Sequence, residues 1–304
     1  MKMTPPMPLH CFFLGALLLA SSLCSAATVY KYTDANGVVS YTDRPVAGAR
    51  VFVFRDSMVE NLQRQVHLDI RKSKGSARFL ARNDLYAPVE VELRLTGLSN
   101  VRGLAPASIR RTVPARSSIS LIELLAKDAG SAPGYTPRFT YSLGDPTTSP
   151  SGYRYPLPWL GGPFHLTQGP NGTYSHFGAK GRYAMDIAMP VGTPIVAARG
   201  GTVVKIENNQ SGRGDNPSGN FVRILHDDGT MGVYLHLMQG SVKVREGQQV
   251  SVGSALAQSG NTGNSTGPHL HFVVQRNVGL GLESIPFQFN QPVNALPNFA
   301  VGRR

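Results

Sequence analysis

The sequence predicts a mainly β protein, and three observations support this prediction. Among the 304 residues are 33 glycines and 22 prolines, residue types that separate short strands with turns. From Val89 to Leu95, apolar and charged side chains alternate, which is the pattern of a half-buried strand. His269 and His271 are separated by one residue, so in a strand both imidazoles share one face while Leu270 and Phe272 face a core.

The first 27 residues have the features of a secretory signal peptide. Lys2 precedes an apolar run, Cys11 to Leu19, and Ser25-Ala-Ala27 fits a small-residue cleavage site. Cys24 also permits a lipoprotein interpretation, but the leucine directly before it disfavours this. Both cysteines lie in this segment, so the remainder has no thiol for catalysis or metal binding. We interpret residues 1–27 as a signal peptide that is removed on export, leaving no stable membrane span.

Residues 28–65 are expected to form a small N-terminal β-hairpin domain and a connector. A turn signal, Asp34-Ala-Asn-Gly37, lies between two short runs of aromatic and β-branched residues. The pattern resembles a small domain of unknown function found in proteobacterial envelope proteins. That resemblance implies the periplasm or cell envelope of a Gram-negative bacterium, with secretion as the alternative, and an envelope protein as a candidate partner. The matching elements are Tyr30 and Tyr32, Asp34 and Gly37, and Thr42, Asp43 and Pro45.

The formal net charge of +12 favours acidic partners. These include nucleic acid, anionic membrane surfaces and anionic cell-wall polymer. No basic run with interleaved aromatic residues occurs, so we expect no nucleic-acid partner.

Residues 66–145 are expected to form a β-sandwich-like domain, because several short strand patterns are separated by Gly, Pro and Asn. Residues 121–127 also fit one or two helical turns. No cluster of metal-ligand or nucleophilic residues occurs here, so the segment is interpreted as a spacer, a binding module or a lid. The expected strands are Val89–Leu95 and short segments near 109–113, 118–122 and 139–143.

Residues 146–304 are expected to form the last domain, with a compact two-sheet antiparallel β-core. Segments 192–204 and 246–258 resemble each other, each reading as a strand, a glycine turn and a strand. A predicted hairpin turns at 227–229, and its second strand, Met231–Leu237, would place Tyr234 and His236 on one face. Val233, Leu235 and Leu237 would then share the other face.

Most of the histidines lie in this last domain. Single histidines outside a motif are usually hydrogen-bonded core residues, and His67, His165 and His226 are interpreted in this way. The other four histidines of the last domain are His176, His236, His269 and His271.

Three ordered motifs over residues 153–290 resemble the lysostaphin/LytM-type zinc endopeptidases. The motifs are His176 with Asp186, then His236 within Tyr-Leu-His-Leu, then His269-Leu-His271. The resemblance implies a LytM-type two-sheet core and one Zn²⁺ per chain. In this family, one histidine and one aspartate of the first motif and the second histidine of the last motif bind zinc. The implied metal ligands are therefore His176, Asp186 and His271, and the implied catalytic residues are His236 and His269.

The chemistry of these residues agrees with that assignment. Two imidazoles and one carboxylate leave a fourth tetrahedral position for water, as catalytic zinc sites require. Zinc lowers the pKa of that water towards about 7 and polarises the scissile carbonyl. No HExxH helix supplies a glutamate base, so a neutral imidazole must take the proton. One of His236 and His269 would act as the base and the other would stabilise the oxyanion. The sequence does not decide which histidine has which role.

The first motif departs from the usual His-x-x-x-Asp spacing of the family, because His176 and Asp186 are ten residues apart. Residues 177–185 would have to bulge while both ends return to the metal. The ending Tyr183-Ala-Met-Asp-Ile-Ala-Met-Pro190 resembles longer members of the family, which favours Asp186 as a ligand. The alternative for Asp186 is a structural carboxylate.

The resemblance implies an exported zinc metalloendopeptidase that hydrolyses peptide bonds in peptidoglycan, in crosslinks or stem peptides. The alternative is a catalytically silent LytM-like domain that binds cell wall or activates an amidase; such domains generally lack several metal ligands, whereas this chain retains all of them. A third interpretation is the same chemistry on a glycine-rich polypeptide. Residues 28–150 are also long enough to cover the zinc site.

Overall fold

The fold was examined in a computed structural model, which describes residues 29–33, 39–42, 50–52, 65–214 and 216–297. Every regular element in these ranges is a β-strand, which confirms the mainly β prediction. Within these residues, no helix has the length and apolar character needed to cross a membrane. The signal-peptide prediction for residues 1–27 lies outside the described residues. The chain divides into two compact units, residues 1–55 and 56–304.

The N-terminal unit contains the predicted hairpin. Strands β1 (Val29–Thr33) and β2 (Val39–Thr42) pair antiparallel, with Tyr32 opposite Ser40. A third strand, β3 (Arg50–Phe52), pairs antiparallel with the other edge of β1. The connector was expected from residue 46 to about residue 65, so residues 50–52 form a strand where a connector was expected.

Residues 65–145 form two three-stranded sheets with a shared apolar core, as the sandwich prediction requires. The order is β4-β5-β8 in one sheet and β7-β6-β9 in the other. Residues 121–125 lie in a strand, not in a helical turn. The strands are β4 (Val66–Lys72), β5 (Ser76–Asn83), β6 (Val89–Ser99), β7 (Ser108–Val113), β8 (Ser117–Leu125) and β9 (Gly134–Leu143).

The central strand β6 is buried on both faces near its start. Its apolar face is in the core as predicted, but Glu90 and Glu92 on the opposite face are only 2% and 6% exposed. Leu280 donates its backbone N–H to Glu90, and Arg110 lies 3.7 Å from Glu90 and 3.5 Å from Glu92. The prediction of a half-buried strand was therefore wrong at the start of β6, because a segment far along the chain covers the charged face there.

The remaining strands build one large sheet and two small ones. The eight-stranded sheet has the order β11-β12-β19-β16-β15-β14-β17, with β20 paired to β19. All its pairings are antiparallel, whereas the small β10-β21 pair is parallel. The strands are β10 (Arg154–Tyr155), β11 (His165–Gln168), β12 (Met185–Ala188), β13 (Pro194–Val196), β14 (Gly201–Glu207), β15 (Asn220–Leu225), β16 (Met231–Leu237), β17 (Gln249–Val250), β18 (Ala255–Gln258), β19 (His269–Asn277), β20 (Leu282–Ser284) and β21 (Gln288–Phe289).

The two similar sequence segments pair with each other. The first contains β13 and β14 and the second contains β17 and β18; β13 pairs with β18, and β14 pairs with β17. Ile195 and Ala257 are opposite each other in the small sheet and belong to the core beneath the large sheet. The two similar segments therefore contribute to the predicted two-sheet core by pairing their strands with each other.

The sandwich and the large sheet share one apolar core. Val204, Met231 and Leu282 belong to the large sheet, yet they are buried in the cluster formed by the sandwich strands. Polar contacts reinforce the junction: Gln65 donates to Glu246 at 3.1 Å and accepts from Lys205 at 2.8 Å. Because these contacts join the two regions in one compact unit, residues 65–297 are expected to unfold together.

Met231→Ala tests this shared core. Met231 is fully buried, so truncation removes apolar burial and leaves a cavity costing about 2–5 kcal/mol of unfolding free energy. Urea unfolding followed by fluorescence and by far-UV circular dichroism should show one shifted transition with an unchanged slope. Two separate transitions, with only one of them shifted, would show that the sandwich and the large sheet fold independently.

Candidate metal and catalytic site

Asp186 and His271 lie opposite each other on neighbouring strands. They form a register pair between β12 and β19, and cross-strand partners project from the same face of a sheet. Ile187, Leu270 and Phe272 project from the opposite face into the core, as the alternation in the sequence predicted. His271 Nδ1 is 2.8 Å from Asp186 Oδ1. The sheet register thus brings together two residues separated by 85 positions in the chain.

His176 reaches the same carboxylate from the loop before β12. Its Nδ1 is 2.8 Å from the carbonyl oxygen of Gly169, and a carbonyl only accepts, so Nδ1 carries the proton. Nε2 therefore holds a lone pair in the neutral ring, and it lies 3.1 Å from Asp186 Oδ2. The loop returns His176 to the aspartate despite the ten-residue spacing.

These three residues form a buried group that could hold a metal ion. One potential ligand atom from each lies within 4.8 Å of the others. Although burial alone would raise the pKa of the Asp186 carboxyl, the imidazoles of His271 and His176 hold that pKa well below its ordinary value. Burial lowers the pKa of His271. Metal binding requires an ionised carboxylate and unprotonated imidazole nitrogens, and the lowered pKa values of Asp186 and His271 agree with this requirement.

His269 begins β19 and faces the same side as His271. Its Nδ1 donates to the carbonyl oxygen of Gly267 at 2.8 Å and lies 3.0 Å from Ser265 Oγ. Nε2 is 3.7 Å from Asp186 Oδ1, so the ring projects towards the group of three residues. The Nδ1 hydrogen bond leaves the Nε2 lone pair directed into the cleft.

His236 ends β16 in a left-handed conformation, with φ of 61°. Its Nδ1 donates to the carbonyl oxygen of Thr262 at 2.7 Å, and its ring centroid is 4.8 Å from that of His269. Burial, together with the nearby His269 and His271 rings, lowers the pKa of His236 to about 3. The neutral His236 imidazole thus faces the His269 ring beside Asp186.

The left-handed residue corrects one prediction about β16. We expected Leu237 to share a face with Val233 and Leu235, and His236 to share a face with Tyr234. Instead, Leu237 joins Tyr234 in the main core, while Leu235 and His236 both line the cleft. The register of β15 and β16 shifts at this end, and the positive φ turns His236 out of the strand alternation.

One open cleft of about 370 Å³ is lined by Asp186, His236, His269 and His271. His176 is buried beside Asp186 and does not line it. The loops 174–175, 217 and 264–268 form its walls. Among the described residues, none from the sandwich lines this cleft. In this structure, residues 65–145 therefore leave the site uncovered.

The other three histidines among the described residues lie outside the cleft. His226 is buried; its Nδ1 donates to the carbonyl oxygen of Gly200 at 2.8 Å, and its Nε2 accepts from the Gly232 N–H at 3.1 Å. This is the predicted hydrogen-bonded core histidine. The same prediction was wrong for His165, which is exposed, and for His67, which is half-buried 3.5 Å from Asp84.

His226 makes stability depend on pH. Burial lowers its pKa to about 4, whereas in the unfolded chain it titrates near its ordinary value of 6.5. Because the folded-state pKa is depressed, its contribution is complete above pH 6.5 and is lost as pH falls to 4, by about 3 kcal/mol. Urea unfolding at pH 7 and pH 4.5 should therefore show a smaller pH-dependent loss for His226→Asn than for the wild type. Equal losses would contradict this account.

Three residues that hold these side chains lie outside the sequence motifs. Thr262 supplies a backbone carbonyl, which no side-chain motif reveals. Ser265 contacts His269 from within the Gly/Asn/Ser/Thr-rich run before the His-x-His pair, and its position there was the available signal. Gln168 donates from Nε2 to Asp186 Oδ2 at 2.9 Å.

Comparison with known families matches two parts of the chain. Residues 180–281 match the profile of Peptidase family M23, and residues 16–72 match a domain of unknown function, DUF4124. The M23 match includes Asp186, His236, His269 and His271 but begins four residues after His176.

Characterised relatives share part of the chain. Peptidoglycan DD-endopeptidase ShyA of Vibrio cholerae is 38% identical over 122 residues, which are 39% of this chain and 26% of that protein. Lysostaphin of Staphylococcus simulans is 37% identical over 91 residues, which are 30% of this chain and 17% of that protein. The chain thus spans about a quarter or less of the length of these relatives.

A solved structure shows a partial likeness. The catalytic domain of the prophage-encoded M23 protein EnpA from Enterococcus faecalis is 26% identical, with a TM-score of 0.34. The matched region covers 43% of this chain and 93% of that domain. The geometry of the site and the sequence matches lead to one conclusion: the C-terminal half of the chain carries a peptidase family M23 domain, and its N-terminal part carries a DUF4124 domain.

Proposed function

We propose that the protein is an exported zinc metalloendopeptidase that hydrolyses peptide bonds in peptidoglycan, in crosslinks or stem peptides. The observation that carries this proposal is the convergence of His176, Asp186 and His271, with two further imidazoles on the same cleft. Metal ligands alone would fit a binding site. The added pair, His236 and His269, is what hydrolysis requires.

The three proposed ligands fit a metal ion. His176 Nε2 is buried 3.1 Å from Asp186 Oδ2 and makes no hydrogen bond within the described residues. His271 Nδ1 lies 2.8 Å from Asp186 Oδ1. A cation held by these three side chains would give the buried His176 nitrogen a partner. Zinc bonds of about 2.0–2.1 Å in a tetrahedron separate ligand atoms by roughly 3.3 Å, close to the distances seen here.

The donor set favours zinc over other ions. Imidazole suits zinc, copper, iron and nickel, while magnesium and calcium prefer sites composed of oxygen ligands. Two imidazoles and one carboxylate are a known catalytic zinc set that leaves a position for water. Bound zinc would supply a water of lowered pKa and would polarise the substrate carbonyl.

His236 and His269 would move the protons. Each donates Nδ1–H to a backbone carbonyl, which fixes its ring and leaves Nε2 as a proton acceptor. The ring that accepts a proton becomes an imidazolium, which can stabilise an oxyanion or protonate the leaving amine. The buried, water-poor position of His236 strengthens such interactions.

Peptidoglycan as substrate is supported by the relatives, since the Vibrio protein is named for peptidoglycan endopeptidase activity. The open cleft suits an extended polymer strand, and the +12 net charge suits an anionic wall. Export to the periplasm or envelope is supported by the signal-like residues 1–27 and the DUF4124 match. The presence of every proposed ligand and both imidazoles favours an enzyme over a silent domain.

The test compares three substrates under one set of conditions. The protein, expressed from the full chain, is incubated with purified peptidoglycan, with a folded protein and with a glycine-rich polypeptide. Each digest is run with and without a chelator and after zinc is restored. We expect new peptide ends only from peptidoglycan, lost with the chelator and regained with zinc. Cleavage of the polypeptide alone would reassign the substrate, and no cleavage by zinc-loaded protein would overturn the proposal.

A further inference from the structure

We infer that Gln168 is a positioning residue for the metal site, in which one side-chain amide fixes two of the three proposed ligands. This inference rests on the metal site of the proposed function. It concerns a residue outside all three histidine motifs. Gln168 touches Asp186 directly and holds the turn that ends at His176.

The amide of Gln168 makes four hydrogen bonds. Nε2 donates to Asp186 Oδ2 at 2.9 Å and to Ser175 Oγ at 2.7 Å. Oε1 accepts from the backbone N–H groups of Tyr174 at 3.1 Å and Ser175 at 3.3 Å. Both hydrogens and both lone pairs are therefore in use. The backbone donors fix Oε1 towards the turn, which forces the NH₂ group towards the carboxylate.

A strand irregularity places this amide beside Asp186. Between β11 and β12, His165 pairs with Ala188 and Leu166 with Ile187, a register that would set Gln168 opposite Met185. The register shifts between Leu166 and Gln168, and Gln168 pairs with Asp186 instead. A one-residue shift changes which face a side chain occupies, so the shift moves Gln168 to the face of the metal group.

The turn before His176 is built around the same side chain. A Cβ at Gly172 would lie 2.3 Å from Gln168 Cγ and 2.7 Å from its Oε1. Any side chain at position 172 would therefore clash with Gln168 in its present position. The His176 N–H then donates to the Gly172 carbonyl oxygen at 3.1 Å. The Gln168 amide and the backbone around it thus fix the backbone position of His176, and with it the position of the imidazole.

The long spacing of the first motif explains why such a residue is needed. With a short spacing, the chain between two ligands would restrict their positions directly. Here His176 and Asp186 are ten positions apart, and one ligand lies on a loop while the other lies on a strand. Gln168 joins the two through hydrogen bonds, so the carboxylate orientation and the loop position are set together before metal binds.

Gln168→Met tests the inference, because methionine keeps the volume and removes all four hydrogen bonds. Zinc affinity is measured by competition with a chromogenic chelator, and geometry is measured from the visible spectrum of the cobalt(II)-substituted protein. Loss of a group that orients a metal ligand typically raises the dissociation constant for zinc by about 10–100-fold. We expect this rise together with altered cobalt bands. The matched control is Gln249→Met, since Gln249 is exposed on the edge strand β17 and bonds Thr202 of β14.

Each outcome has a defined meaning. Affinity within about twofold of the wild type, with unchanged cobalt bands, would overturn the inference while leaving the zinc site intact. If Gln168→Met lowers the melting temperature of the metal-free protein more than Gln249→Met does, Gln168→Asn decides, because its shorter amide cannot reach the carboxylate. Wild-type zinc affinity in that variant would also overturn the inference. A wild-type protein that binds no zinc would overturn the proposed function and this inference together.

Discussion

Replacing His271 by alanine is expected to remove zinc and peptide-bond hydrolysis together. His271 Nδ1 contacts Asp186 at 2.8 Å, and its ring is one of the three buried groups that converge. Without it, two ligands remain and the charge of Asp186 loses one of its compensating neighbours. We expect zinc affinity to fall more than about 100-fold, beyond the effect of losing an outer hydrogen-bond partner. Metal analysis after dialysis and a peptidoglycan digest measure the two losses.

His165→Ala is the matched control. It is the same histidine-to-alanine change, made at an exposed position on β11 outside the cleft. This control should retain both zinc and activity. If His271→Ala retained stoichiometric zinc and full activity, the assignment of His271 as a ligand would be wrong. Zinc lost with activity retained would show that hydrolysis does not need the metal.

His236→Asn is expected to retain zinc and to lose turnover, whereas His271→Ala is expected to lose both. Removing a general base or acid costs about 10²- to 10⁴-fold in kcat, equivalent to roughly 3–5 kcal/mol. Asparagine is the chosen substitution because it tolerates the positive φ at this position, where alanine would add backbone strain. Its shorter side chain cannot place a proton acceptor where Nε2 lies. Zinc content and kcat on a soluble crosslinked muropeptide measure the two properties separately.

The thermal stability of the zinc-loaded His236→Asn variant serves as its folding control. Zinc lost from a folded variant would make His236 a ligand and not a proton carrier. Turnover at the wild-type rate would exclude it from the chemistry. A rise in KM with unchanged kcat would assign it to substrate binding, because uniform binding changes KM alone.

The parts of the site that follow strand alternation could be predicted from the sequence. His269 and His271 share a face because they are two residues apart in β19, and Leu270 and Phe272 are buried behind them. The strands of the two similar segments and the N-terminal hairpin were also predictable, since both are marked by glycine turns between short strand-like runs. The pairing of the two segments with each other was not predicted.

Departures from regular alternation could not be predicted in this way. His236 leaves the alternation because its backbone is left-handed, and Gln168 joins the site because of a register shift of one residue. Neither feature has a signature in residue type. The burial of Glu90 depends on Leu280, which is 190 positions away, and no local pattern reports such a contact. Tertiary contacts decide these positions.

The measurement that tests the central claim most directly is hydrolysis of peptidoglycan in ¹⁸O-labelled water, with mass spectrometry of the fragments. Peptide-bond hydrolysis adds one oxygen from water to the new carboxyl group. We predict one ¹⁸O at a new carboxyl end within the crosslink or stem peptide, absent with chelator and restored by zinc. Label at the lactyl carboxyl that joins sugar to peptide, or label that persists with chelator, would contradict a zinc endopeptidase.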